Sequence, residues 1–405
     1  FIMSDMYEQL KMDVADPMPE DKFDSSEPYN EQEEDISGLN KMDLSYMAIS
    51  GTDWTADTIV NQIRKGNILL SPYFQRRDAW SPKMKSRFIE SLFLGLPIPQ
   101  IILAENKEKK GTYIVIDGKQ RLLSLQQFVE GDDEGKKLKL IGLEVKENLN
   151  KMTYEEIQNS EYCDEIDAFN NQTIRTVVVK NWPSVEVLYL LFLRLNTGSV
   201  KLSPQELRQA LYPGKFIDYV NRTSSTCAEL KQMLNIKKPD FRMRDVEILI
   251  RYFAFVVFAK DYSGSMQQFL DNTCNELNKV WDNKCAEIEN LYEQFRMAAQ
   301  ITFNIFGKDA FHKFKAGNYE TKINRAVADI MLFYFSNPDI RAAIPGHEEQ
   351  IKSKFEALST GRMEFLSAIE TTTKSMQSVT ERFNTWAAAL SEELGLKVKS
   401  PYSEN

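Results

Sequence analysis

The sequence predicts a mixed α/β domain over residues 46–212 followed by an all-α helical domain over 213–395. Three observations point there. Short β-branched runs, such as Tyr113–Ile116 and Thr173–Lys180, alternate with helix-period segments in the first half. From Lys215 onward the apolar residues recur at helical spacing: Val246, Leu249, Ile250 and Phe253; Ala326, Val327, Ile330 and Phe333; Phe355, Leu358, Phe365, Leu366 and Ile369. Residues 1–45 are acidic and poor in apolar side chains, which marks them as a disordered segment, and 396–405 read as a frayed tail.

Charge is unevenly spread. Residues 1–36 hold twelve acidic residues against Lys11 and Lys22, a net of −10 within a total of −9, so the rest of the chain carries +1. The acidity therefore says little about whether the body binds nucleic acid. Solubility alone would explain the acidic segment; a sharper reading has it competing with a phosphate backbone. The most apolar run, Tyr252–Phe258, is too short to cross a bilayer, and the acidic start does not resemble a secretory signal. Cys163, Cys227, Cys274 and Cys285 show neither CxxC pairing nor histidines at metal-ligand spacing, and read as reduced thiols of a cytoplasmic protein.

Taken in order, Ala56–Lys65 places Ile59, Val60 and Ile63 on one helical face, ended by Gly66 and Asn67, and Ile68–Leu70 reads as a strand. The loop from Ser71 to Trp80 carries Tyr73, Gln75, Arg76, Arg77 and Trp80; its guanidiniums suit a bidentate phosphate clamp and its aromatics suit base stacking. An ordinary surface loop with Trp80 in the core is the simpler reading of the same residues. Ser81-Pro82 starts a helix with an apolar stripe of Met84, Phe88, Ile89, Leu92 and Phe93. Leu96–Ala104 enters a strand, and the lysine-rich Asn106–Gly111 turns it back as a hairpin. Gly135–Lys146 is strand-like in pieces, Met152–Gln158 helix-like, Thr173–Lys180 a buried strand and Ser184–Leu195 an apolar helix.

The hairpin delivers the chain to TYIVIDGKQRLLSLQQF, residues 112–128, a strand, a tight turn and a helix with Leu122, Leu125 and Phe128 in register. Asp117, Gly118, Lys119, Gln120 and Arg121 occupy the turn. Unpaired N–H groups at a helix start, joined by two cations, suit an anion. A helix capped by Asp117 with solvated cations is the alternative. A second polar loop, Asn196, Thr197 and Gly198, leads to Ser203-Pro204-Gln205-Glu206, a capping box with proline at the first helical position. By itself that loop suits a plain helix connection as well as a ligand contact. Near the other end, Thr371–Ser375 and Arg382 could bring hydroxyls and a cation to the same pocket, or simply join two helices.

FQR at 74–76 with Trp80, LGLPIPQIIL at 94–103, IDGKQRLLSL at 116–125 and RLNTGSVKLSPQELRQA at 194–210, in that order, resemble the N-terminal domain family of GmrSD-type restriction systems, related in fold to ParB and sulfiredoxin. The likeness continues more weakly through Arg242–Glu247, Tyr262–Leu270 and Thr371–Phe383. It implies a ParB/sulfiredoxin-like fold for the first domain. It also implies a nucleoside-triphosphate pocket lined by Gln75, Arg76, Gly118, Lys119, Gln120, Arg121, Asn196, Thr197 and Gly198. Catalysis would rest on Asp117, Gln120 and Arg121, with Mg²⁺ as the accompanying ion and Asp117 orienting the donors or holding a metal or water. Where the family has DGQQR this chain has DGKQR, so Lys119 keeps a donor at that position and adds a charge.

The family's restriction enzymes continue into an HNH nuclease, which needs histidines. This sequence has only His312, in a predicted helix at Ala310–Phe314, and His347, in a loop after Gly346; neither sits in a nuclease motif. There is no GxxxxGK[ST] phosphate loop. The resemblance implies a nucleotide-dependent sensor or effector of prokaryotic anti-phage defence that binds and hydrolyses a nucleoside triphosphate and recognises DNA, including modified phage DNA. The alternatives are a non-catalytic nucleotide- or DNA-binding module acting with a partner nuclease or a second copy, and a nuclease that uses the DGKQR pocket itself. No membrane partner is expected.

Overall fold

The computed structural model describes residues 47–70, 79–132, 135–195, 203–371 and 373–403. The acidic segment lies outside the described residues. The chain divides between Leu211 and Tyr212 into two compact units, the first mixed α/β around a small sheet and the second mostly helical.

The sheet of the first unit is built by period-two burial on both faces. β1 (Ala48–Thr55) runs antiparallel to β4 (Thr173–Lys180), with Ala48 opposite Lys180 and Thr55 opposite Thr173. β2 (Ile101–Glu105) lies parallel to β4 and antiparallel to β3 (Tyr113–Asp117), giving the order β1-β4-β2-β3. Ile101, Leu103, Val115 and Ile174 enter one core, while Ile102, Ala104, Ile114, Ile116 and Val179 enter the other. Burial on both sides is why these strands read as unbroken apolar runs.

On the first face pack α1 (Ala56–Arg64), α2 (Pro82–Phe93), α3 (Lys119–Val129), α4 (Tyr154–Gln158) and α5 (Cys163–Asn171). Thr55 caps α1 by accepting the Thr58 N–H at 3.1 Å, and Ile59, Val60 and Ile63 are buried as their spacing predicts. Ser81 caps α2 with Pro82 at its start, and Phe88, Ile89, Leu92 and Phe93 are buried while Met84 is half-buried. On the other face lie α6 (Val185–Leu195) and α7 (Pro204–Leu211), which bring Leu188, Tyr189 and Leu207 to the second core.

Two strand expectations need correction. Ile68–Leu70 makes an isolated bridge from Ile68 to Tyr113 at the edge of the sheet and forms no ladder among the described residues. Residues 135–146 form no strand; their backbone is held by neighbouring side chains and loops. Leu140 N–H donates to Met152 O, and the buried Glu90 carboxylate accepts from the N–H groups of Glu144, Val145 and Lys146 at 2.8–3.0 Å through Oε1.

The second unit contains α8 (Lys215–Thr226), α9 (Ala228–Leu234), α10 (Arg244–Phe258) and the long α11 (Met266–Phe306). A hairpin follows, β5 (His312–Lys315) and β6 (Asn318–Ile323), then α12 (Arg325–Phe335), α13 (Pro338–Ala343), α14 (Glu348–Gly361), α15 (Met363–Glu370) and α16 (Met376–Leu394). The predicted stripes are largely in its core: Val246, Leu249, Ile250, Phe253, Ala326, Val327, Ile330, Phe355, Phe365 and Ile369 are buried. His312 was expected in a helix and instead begins β5. Residues 396–403, read as a frayed tail, are tied back: Val398 N–H donates to Ser391 Oγ at 3.0 Å and Tyr402 packs edge-on against Phe383. All four cysteines are free, and no described helix is long and apolar enough to cross a membrane.

Candidate functional site

Gly118 alone joins β3 to α3, at φ +97°, a left-handed backbone that favours glycine. Its missing side chain also leaves necessary room. A Cβ there would stand 3.1 Å from Ile101 Cγ1 and 3.3 Å from both Nε and Nη2 of Arg121. The Arg121 side chain thus folds back across Gly118, and Nη2 donates to Asp117 Oδ2 at 2.8 Å. Asp117 does not cap the helix, contrary to the simpler expectation. Gly118 is the capping residue, α3 has no side-chain cap, and the carboxylate instead orients a guanidinium over the helix start. Arg121 Nε is buried with no hydrogen-bond partner.

The next two residues point elsewhere. Lys119 is 3 % exposed and its Nζ pairs with Glu206, itself 4 % exposed, on α7. Its charge therefore braces α3 against α7. Gln120 is also buried, and its Oε1 accepts the Trp80 N–H at 3.2 Å. The chain emerging from the Gln75-Arg76 loop is thereby fastened at Trp80 to the same turn. Trp80 is half-buried and packs edge-on against Phe88 at the margin of the first core.

The capping box at the start of α7 is present. Glu206 N–H donates to Ser203 Oγ at 3.2 Å, and Ser203 N–H donates to Glu206 Oε2 at 2.6 Å. Glu206 thus caps its own helix with one oxygen and receives Lys119 with the other. Around it Gln205, Arg208 and Gln209 are buried too, and Arg208 Nη1 donates to Gln205 Oε1 at 2.7 Å. This buried polar helix face was missed by sequence reasoning. The available signal was QELRQ, a polar run in an eight-residue helix whose apolar side is Leu207, Ala210 and Leu211.

Of the predicted residues, the structure brings Asp117, Gly118 and Arg121 into one contact group and joins Lys119 and Gln120 to it through the backbone. Gln75, Arg76, Asn196, Thr197 and Gly198, together with Tyr73 and Arg77, lie outside the described residues. Arg382 is consumed within the second unit. Fully buried, it donates to Asp329 Oδ2 at 3.1 Å and to the Thr373 carbonyl, while Arg251 holds both oxygens of Asp329 at 3.0 and 2.7 Å. His347 lies outside any helix, and its Nδ1 is 3.1 Å from Glu393 Oε1.

At the turn the Lys119–Glu206 and Arg121–Asp117 pairs balance in formal charge. Among the described residues no group of three or more His, Cys, Asp and Glu converges as a metal site. What the arrangement can do is receive an anion: an oriented guanidinium, an unoccupied Nε and the start of a helix without a side-chain cap stand together.

Residues 57–213 match the model of the family described as GmrSD restriction endonuclease, N-terminal domain. The matched span is less than half of the chain; it contains the predicted residues of the three polar loops, from Gln75 to Gly198, and not Thr371–Ser375 or Arg382. No curated protein and no solved structure matches the chain significantly.

Proposed function

We propose that this chain, whose residues 57–213 belong to the family of GmrSD restriction endonuclease N-terminal domains, is a nucleotide-dependent sensor or effector of restriction-type anti-phage defence. The observation that carries the reading is the Asp117–Arg121 pair across Gly118, which fixes a guanidinium at the start of α3. The β3-turn-α3 unit would belong to a ParB/sulfiredoxin-like arrangement in which a triphosphate meets the helix start. Arg121 would bind and orient phosphoryl oxygens, the N–H groups of the first turn would add donors, and Gln75, Arg76, Asn196, Thr197 and Gly198 would complete the pocket.

Mg²⁺ would come with the triphosphate. Asp117 is the carboxylate at the turn and already accepts from Arg121, so the donor set suits a Mg²⁺ held mainly by phosphate oxygens. The ion would supply neutralisation of phosphate charge. DNA, the substrate class that a restriction family implies, would be the polymer whose modification the chain senses.

Binding without turnover is a second reading, and one observation favours it. Asp117, the carboxylate of the turn, already accepts from Arg121 instead of standing free as a base. Incubating the protein with each nucleoside triphosphate and Mg²⁺, with and without plain or modified DNA, separates the readings. Phosphate release abolished by Arg121→Ala supports hydrolysis at this site. Tight binding without release supports the module, and DNA cleavage without triphosphate supports a nuclease. Turnover unaffected by Arg121→Ala removes the turn from the chemistry.

A further inference from the structure

α7 buries an amide pair that the phosphate reading does not use. Gln205 is 0 % and Gln209 5 % exposed, one helical turn apart and therefore on one face. The Gln205 amide has a fixed sense, because Arg208 Nη1 donates to its Oε1 at 2.7 Å and leaves the buried Nε2 as the remaining donor. That Nε2 has no hydrogen-bond partner, and neither does Gln209 Oε1. Burying a donor and an acceptor unsatisfied is costly, and two of complementary type on one helix face ask for a ligand edge that offers an acceptor beside a donor. Glu206, next to Gln205 in the chain, is bonded to Lys119 of the DGKQR turn, so this face adjoins the start of α3.

We infer that Gln205 and Gln209 read the base of the nucleotide whose phosphates Arg121 receives. Every nucleobase carries a ring acceptor or carbonyl beside an N–H, the pattern that paired amides recognise. The proposal rests on the phosphate reading and adds the base to it. Arg208 acts as a positioning residue, holding the Gln205 amide in its reading orientation.

The test is calorimetric titration of the full chain with ATP, GTP, CTP, UTP and inorganic tripolyphosphate. Wild type is compared with Gln205→Met, Gln209→Met and Arg121→Ala, and folding is checked by the thermal midpoint. In each glutamine variant the advantage of the best-bound nucleotide over tripolyphosphate should fall about tenfold, the effect of one lost hydrogen bond. Tripolyphosphate affinity should stay unchanged. If Gln205→Met fails to fold, Gln209→Met decides. An unchanged nucleotide advantage overturns the proposal and leaves buried water as the occupant, with the phosphate site intact. Equal losses for nucleotide and tripolyphosphate overturn it as well, since the amides would then only support the pocket. Tripolyphosphate binding that ignores Arg121→Ala, or no triphosphate binding by wild type, overturns the phosphate reading and the base proposal together.

Discussion

At the level of single residues, the lysine of DGKQR acquires a physical meaning from Glu206. A solvated Lys119 would simply add charge to an anion site. A Lys119 that is 3 % exposed and paired with a 4 % exposed carboxylate must instead be judged as a buried ion pair. Removing one partner of such a pair strands the other charge and costs about 3–5 kcal/mol, whereas replacing both by apolar groups is often near neutral. Lys119→Met alone should therefore lower stability by about that amount, and Lys119→Met with Glu206→Met should recover most of it. The recovery should fall short by about 1 kcal/mol, because Glu206 also completes the Ser203 capping box. Urea unfolding of the three variants measures this, and strictly additive losses would mean no coupling. The partner could not be read locally, since it lies 87 residues away in the chain. Lys119 was legible as a cation in a turn, while its direction depended on how α7 crosses the sheet.

Among the elements, legibility followed periodicity. α1, α2 and β4 were readable because each buries one regular face or an unbroken apolar run. The β5–β6 hairpin was not. Its four-residue first strand is too short for a periodic signal; α11 ends at Phe306 with Gly307 as its cap, and Phe311, at φ +67°, turns the chain into the strand. Ala316 and Gly317, both at positive φ, then make the tight turn. Glu90 was likewise invisible, because a carboxylate within an apolar stripe shows no sign that backbone N–H groups await it. The hairpin gives a pH prediction. Burial lowers the pKa of His312 below its usual 6.5, with Asp309 opposing in part. The unfolded chain then takes up this proton more readily than the folded one, so stability present above pH 6.5 is lost as pH falls through the window beneath it. Between about pH 7.5 and about pH 5.5 the thermal midpoint should fall more for wild type than for His312→Gln. Equal falls would show that His312 does not contribute.

For the whole molecule the decisive quantity is where the charge lies. A total of −9 argues against polyanion binding only if it surrounds the binding surface, yet −10 of it belongs to residues 1–36. The remaining chain, at +1, is nearly neutral, and the DGKQR turn presents the Arg121 guanidinium beside the uncapped start of α3. A phosphate backbone approaching that turn meets attraction locally and repulsion from the acidic segment. Both are screened beyond about 10 Å at 0.1 M salt. Because phosphate contacts exchange with counterions, a tethered acidic segment acts as a competing polyanion whose influence fades as ionic strength rises. Removing residues 1–36 should therefore tighten DNA binding most at low salt, by about tenfold near 0.05 M, with the gap closing toward about 0.3 M. Fluorescence anisotropy of a labelled duplex across a salt series measures both the gap and its slope. Identical affinities at every salt concentration would confine the acidic segment to solubility. A gap independent of salt would point to a steric rather than an electrostatic effect. Because Arg121 belongs to the attractive side of this balance, the same deletion in the Arg121→Ala background should gain less than in wild type if the turn is where the polyanion lands.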